Sequence, residues 1–208
     1  MPIEESRRGA GLETVVRTIA AGGLLAYPAE TMYGLGGDGT RADVIRRISL
    51  LKGHEEERGF LLLIHRAEHW SWAASSFPPA ASRLAERFWP GPLTLLLPAL
   101  PDHPAAFGGK VALRVPDLPE VRLWVERCGL PLLSTSANRA GEEPLRDPES
   151  VCERFADRLD LIVDGPRFGA SGLPSTIVDA TVDPPSIVRR GALPLDEDGL
   201  AGLHGESR

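Results

Sequence analysis

The chain has 208 residues, 42% of them hydrophobic, and a formal net charge of −6 at pH 7. That length builds one core, so a single domain over residues 1–208 is the default, and the negative balance excludes a nonspecific nucleic-acid binder. The chain does not open on a basic segment followed by an apolar one, no apolar run reaches membrane-spanning length, and Cys128 and Cys152 form neither a close pair nor a metal motif; a soluble, cytoplasmic protein with reduced thiols and no membrane partner is expected.

The spacing of Leu12, Val15, Val16 and Ile19 predicts an amphipathic helix over residues 12–21, stopped by Gly22-Gly23. Residues 24–27 read as a strand that ends at Pro28. Thr40 can cap a second helix, with Asp43 three residues on and Val44, Ile45, Ile48 and Leu51 as its buried stripe. Residues 60–64 form an apolar run short enough for a buried strand. A helix over 80–88 stops before Pro90-Gly91-Pro92. Strands follow at 93–97 and 111–115, then a helix over 119–128 with proline at its start. Residues 130–133 read as a strand, 151–158 as a helix and 161–163 as a strand. Residues 176–179 and 186–189 form a final strand pair around Asp183-Pro184-Pro185. The tail from 195 is polar and expected to fray, leaving a core of about 12–191. Helices mixed with hairpin-length and crossover-length connections predict an α/β fold, a single-domain mixed sheet with helices packed on it.

Residues 24–39, LLAYPAETMYGLGGDG, place Glu30, Thr31 and Tyr33 directly after a strand-like run and before Gly34, Gly36, Gly37 and Gly39. Polar groups at a buried strand's end, beside backbone that can approach a ligand closely, suit a binding site. Gly34, Gly36 and Gly39 also match the dinucleotide spacing G-x-G-x-x-G. That fingerprint requires glycines that follow the strand at once and open a helix; here residues 28–33 intervene. A plain glycine-rich turn is the simpler reading, but it leaves Glu30 and Thr31 beside Pro28 unexplained.

Three further clusters offer binding chemistry. In LLSTSAN, Ser134, Ser136 and Asn138 bring uncharged donors and acceptors to a strand end, suited to an amino acid or a phosphate or to a plain Ser/Thr turn. In VALRVP, Arg114 sits within an apolar strand. Facing inward it must be paired, and its fork fits a carboxylate or phosphate; facing outward it makes an ordinary surface salt bridge. In PSTIVD, Ser175 precedes a strand whose hairpin partner carries Arg189, so the two could meet across the strands.

Taken in order, these motifs resemble the YrdC family, whose signature YPTETVYGLG is matched here with Ala29 in place of a threonine. STSAN, ALR-x-P, STIVD and PGPLTLLL also match, and the resemblance covers about residues 12–191. It implies a YrdC-like twisted sheet with an open concave cavity, and the short form without the extra C-terminal domain of longer members. The implied activity is that of an L-threonylcarbamoyladenylate synthase. Such an enzyme joins L-threonine, bicarbonate and ATP, with Mg²⁺ bound through the phosphates, into threonylcarbamoyl-AMP and pyrophosphate. The product would pass to proteins that transfer it to adenosine 37 of tRNA. By the same resemblance, Lys52 and Arg58 offset polyphosphate charge as the catalytic residues. Thr31, Arg114, Ser134 and Ser175 hold threonine, and His54, Arg58, Lys110, Ser136, Asn138 and Arg189 hold the nucleotide. No side-chain metal site is implied.

The segment 52–63 departs from the family pattern. Lys52 and Gly53 match, His54 replaces an arginine, Arg58 replaces a lysine, and Leu63 stands where a histidine is usual, with His65 two residues on. Glu55, Glu56 and Glu57 add negative charge to a loop expected to meet polyphosphate, unless they face solvent. Relatives of the YciO type also depart here. A rival reading is therefore a YciO-like or RNA- or nucleotide-binding module with altered or lost synthesis, making weak tRNA or double-stranded RNA contact. His65 and His69 lie four apart, but without an H-E-x-x-H pattern or an evident third ligand they read as surface histidines.

Overall fold

A computed structural model describes residues 11–53, 59–165, 172–196 and 200. Between the Gly22-Gly23 stop and Thr40 the chain makes two strands where one was expected. β1 (Leu25–Pro28) turns back into β2 (Tyr33–Asp38), so the glycine-rich run is a fully buried central strand and not a loop. It follows α1 (Leu12–Ala20) and precedes α2 (Ala42–Lys52). The expected Thr40 cap does not form. Thr40 gives both its backbone N–H and its hydroxyl to Asp38, and Asp43 pairs with Arg41 instead.

The remaining elements are β3 (Leu61–Leu63), α3 (Pro79–Phe88), β4 (Leu93–Pro98), β5 (Lys110–Arg114), α4 (Pro119–Cys128), β6 (Leu132–Ser136), α5 (Pro148–Phe155), β7 (Leu161–Ile162), β8 (Thr176–Asp179) and β9 (Ser186–Arg189). Helix α5 starts three residues before the expected 151 because Asp147 caps it, accepting from the Ser150 N–H with Pro148 next in line. The strand expected to end at 133 runs on as β6 to Ser136, so the polar cluster lies in the strand itself. A short 3-10 helix, Ala67–Trp72, was not expected. Leu195 and Leu200 are buried in the main core, while 197–199 and 201–208 of the expected polar tail lie outside the described residues.

All nine strands join one twisted mixed sheet in the order β7-β1-β2-β6-β3-β5-β4-β8-β9. Side chains alternate across the faces, and the register assigns each residue. One face presents Leu35, Leu62, Leu95, Leu113, Leu133 and Val178 to α2, α3 and α5, forming the main core. The other presents Leu25, Tyr27, Leu63 and Leu132 at one end, where Val15 and Ile19 of α1 and Val121, Trp124 and Val125 of α4 cover them. Along its remaining length that face has no helix over it among the described elements.

A side chain at Gly36 would violate this arrangement. Its Cβ would lie 2.6 Å from the Leu133 carbonyl oxygen and 3.0 Å from the Tyr27 ring. Gly36→Ala is expected to destabilise the fold by about 1–3 kcal/mol, the usual range for overpacking a core. An unchanged urea midpoint would contradict the close approach.

Candidate active site

The uncovered part of the second face floors a cavity of about 710 Å³. Register explains its membership. Gly34 of β2, Ser134 and Ser136 of β6, Leu61 of β3, Lys110, Ala112 and Arg114 of β5, Thr94 and Leu96 of β4, Ile177 of β8 and Arg189 of β9 all point to this side. Thr31 and Glu30, from the β1–β2 turn, form part of the rim with Arg146, while Phe60 and Phe107 supply apolar wall. Among the described residues the lining carries four cationic side chains, Lys110, Arg114, Arg146 and Arg189, against two carboxylates, Glu30 and Glu143. A chain of net charge −6 thus keeps a locally positive cavity, the sign that favours an anionic ligand.

Arg114 faces inward. It is buried, its Nε donates to the Gly91 carbonyl at 2.7 Å, and its Nη2 pairs with Glu30. A guanidinium has five N–H donors, so this pairing leaves fork positions for a ligand carboxylate. Ser175 is also buried and shares a 2.8 Å hydrogen bond with Thr94. Arg189 donates to the Ser175 carbonyl from both Nε, at 3.1 Å, and Nη2, at 2.8 Å, which brings these residues together across β8 and β9. Desolvation and the nearby Arg114 charge both lower the pKa of Arg189. Lys110 pairs with Asp179. Burial opposes the charge of that carboxylate, but hydrogen bonds from Lys110 and Thr181 outweigh it and hold Asp179 below the ordinary carboxylate range.

Thr31, Lys110, Arg114, Ser134, Ser136, Ser175 and Arg189, all expected from sequence, therefore share one cavity. Lys52 and Asn138 do not line it. The Lys52 ammonium, at the end of α2, is buried under the loop after β6. It donates to the Ser136 carbonyl at 2.8 Å, the Asn138 carbonyl at 3.1 Å and the Asn138 Oδ1 at 2.9 Å. Asn138 Oδ1 also accepts from the Ser136 hydroxyl at 2.6 Å, and its Nδ2 donates to the Glu142 carbonyl. The pair thus ties the end of β6, where Ser136 sits, to the loop that follows it. His54, Arg58 and the three glutamates between them lie outside the described residues.

A family model for Sua5, YciO and YrdC, described as "Telomere recombination", matches residues 17–191. The chain belongs to this family. The threonylcarbamoyl-AMP synthase of Marinobacter nauticus is 38% identical over 167 residues, which is 78% of this chain and 87% of that protein. The structure of Pyrococcus abyssi Sua5 complexed with L-threonine matches with a TM-score of 0.83 at 32% identity, over 96% of this chain. This chain spans only 60% of that longer one. E. coli YciO matches with a TM-score of 0.76 at 27% identity, over 89% of this chain and 93% of its own.

Within this family fold, some lining residues lacked a clear sequence signal. Thr94 was legible in principle, as the one hydroxyl at an alternate position of the apolar run 93–97. Arg146, whose Nη1 donates to the Thr31 carbonyl at 3.1 Å, and Phe107 sit in loops with no periodicity to place them. His65 does not stand in for the missing family histidine. β3 ends at Leu63, and His65 packs against His69, Nδ1 to Nδ1 at 3.0 Å, beside Trp72, away from the cavity lining.

Burial lowers the Lys52 ammonium to about 8, against an ordinary value of about 10.4. Between those two pH values the unfolded chain binds the proton that the folded chain has lost, so this group's contribution to stability rises with pH. Lys52→Met is expected to flatten that rise in urea midpoints measured from pH 7 to 10. Parallel curves for the two proteins would contradict it.

Proposed function

We propose that the chain is an L-threonylcarbamoyladenylate synthase, a nucleotidyltransferase acting as a single domain. The observation that carries this reading is the cavity itself. A buried arginine fork, buried hydroxyls and further cationic side chains converge on one face of the family sheet, in a protein that is acidic overall. The names of the synthase relatives and the threonine complex of P. abyssi Sua5 support the same reading.

In this mechanism the amine of L-threonine attacks the carbon of bicarbonate and water leaves, giving a carbamate. A carbamate oxygen then attacks the α-phosphorus of ATP and pyrophosphate departs, leaving threonylcarbamoyl-AMP. Positioning and charge neutralisation account for the rate, with little side-chain acid–base work. Arg114, Thr31, Ser134 and Ser175 hold threonine, with the Arg114 fork on its carboxylate. Lys110, Arg189 and Ser136 hold the nucleotide, together with Arg58 and His54. Lys52 and Asn138 act by holding the end of β6 that carries Ser136. The described residues contain no group of three or more His, Cys, Asp or Glu suited to a metal, so Mg²⁺ would come with the phosphates of ATP, where it neutralises charge. Proteins that transfer the product to tRNA would be the downstream partners.

The deciding measurement is pyrophosphate release from ATP, Mg²⁺ and bicarbonate, with and without L-threonine. Threonine-dependent release with the mass of threonylcarbamoyl-AMP in the products is expected. Silence from folded protein would refute the synthase and favour a binding module altered in the segment 54–58.

Replacing the Arg114 fork by a point charge separates the two substrates. Arg114→Lys is expected to weaken threonine by about 10- to 100-fold, the worth of one charge-assisted hydrogen bond, while the Kd for ATP stays within about threefold. Equal loss for both ligands would remove Arg114 from the threonine end.

A further inference from the structure

Tyr27 lies beside the cavity, on the covered part of the same sheet face. It is fully buried, and its ring meets Trp124 of α4 edge-on at 5.8 Å. Its hydroxyl nevertheless reaches the cavity wall, donating to the Ser134 Oγ at 2.7 Å. The two residues are not on neighbouring strands. Tyr27 is on β1 opposite Gly34, Ser134 is on β6 opposite Gly36, and β2 runs between them. Strands lie about 4.8 Å apart, so the Tyr27 side chain, its hydrogen bond and the Ser134 side chain together bridge about 10 Å of sheet. It does so over the glycines. A Cβ at Gly34 would come within 3.2 Å of the Tyr27 ring, and one at Gly36 within 3.0 Å.

The direction of this bond follows from burial. Among the described residues the Tyr27 hydroxyl has no acceptor other than Ser134. If Ser134 donated instead, the phenol hydrogen would be left buried with no partner, at the full desolvation penalty. Burial also raises the Tyr27 pKa, so the phenol keeps its proton at neutral pH. Ser134 must therefore accept from Tyr27, and its own hydrogen finds no acceptor among the described residues. That hydrogen is left to the cavity.

We propose that Tyr27 is a positioning residue that fixes the polarity of Ser134, so that this hydroxyl meets the amino-acid substrate as a donor aimed at its carboxylate. The inference rests on the threonine reading above and deepens it. It also gives the β2 glycines a purpose, as the gap through which a core tyrosine orients a hydroxyl two strands away.

The test is a double-mutant cycle on the full chain, with the Kd for L-threonine measured by calorimetry for wild type, Tyr27→Phe, Ser134→Ala and the double variant. Tyr27→Phe is expected to raise Kd about threefold to tenfold, with less than about a twofold change in Kd for ATP or in kcat at saturating threonine. In the Ser134→Ala background it should add nothing further. The double variant should melt above Ser134→Ala alone, because it no longer strands a buried phenol. An equal cost of Tyr27→Phe in both backgrounds, or an unchanged Kd in Tyr27→Phe alone, would overturn the proposal. Tyr27→Phe by itself keeps it testable if Ser134→Ala does not fold. Wild-type protein that binds no threonine would instead overturn the threonine reading on which it rests.

Discussion

The period-two alternation of the sheet decides where this protein can bind anything. One face is mostly apolar and takes three helices. The other is covered by α1 and α4 where Leu25, Tyr27, Leu63 and Leu132 emerge. Beyond that boundary serine, threonine, lysine and arginine are set among Leu61, Ala112, Leu96 and Ile177, and a packed helix would have to bury those polar groups at a cost. The cavity is thus a consequence of side-chain pattern. Arg114 sits opposite Leu63 in register, with Leu63 under the α1 and α4 layer and Arg114 on the cavity wall.

Burying a guanidinium there is costly unless its donors are met. Gly91 and Glu30 meet part of that demand. A carboxylate ligand would meet more of it in the low-dielectric setting where charge-assisted hydrogen bonds are strongest. The surrounding cations then act together. Arg146 and Arg189 add positive charge to the lining, Lys110 is paired with Asp179, and Glu30 is paired with Arg114. An amino acid brings both signs and a nucleotide brings only negative charge. A wall with four cations and two carboxylates suits that pairing.

Much of this was legible in the sequence, because strong periodicity and end signals are local. α1, α4, β4, β8 and β9 were placed to within a residue or two, while the seven expected site residues that fall in one cavity were named by the family resemblance and not by periodicity. What failed was non-local. β2 escaped because glycine has low strand propensity, and only pairing with β1 on one side and β6 on the other makes the segment a strand. Lys52 was expected in the cavity from the family resemblance alone. The turn of α2 that carries it aims its ammonium at the carbonyls of the β6 loop instead. Arg146 and Phe107 reach the site through loops whose paths no local pattern encodes.

The glycine strand shows how such a non-local demand overrides propensity. Each interior glycine in a strand costs about 0.5–1 kcal/mol of backbone entropy relative to alanine. Three of the six β2 residues are glycine, in the middle of the sheet. That cost is offset only if the space left by the missing side chains is filled. Two large side chains fill it: the Tyr27 ring lies against Gly34 and Gly36, and Val44 of α2 lies where a Gly37 Cβ would be, 2.7 Å away. The glycines are therefore neither a flexible loop nor a phosphate-binding turn. They thin the centre of the sheet so that an aromatic ring on one face and a helix on the other can close on it. The ring's hydroxyl stays buried and reaches Ser134 on the cavity wall.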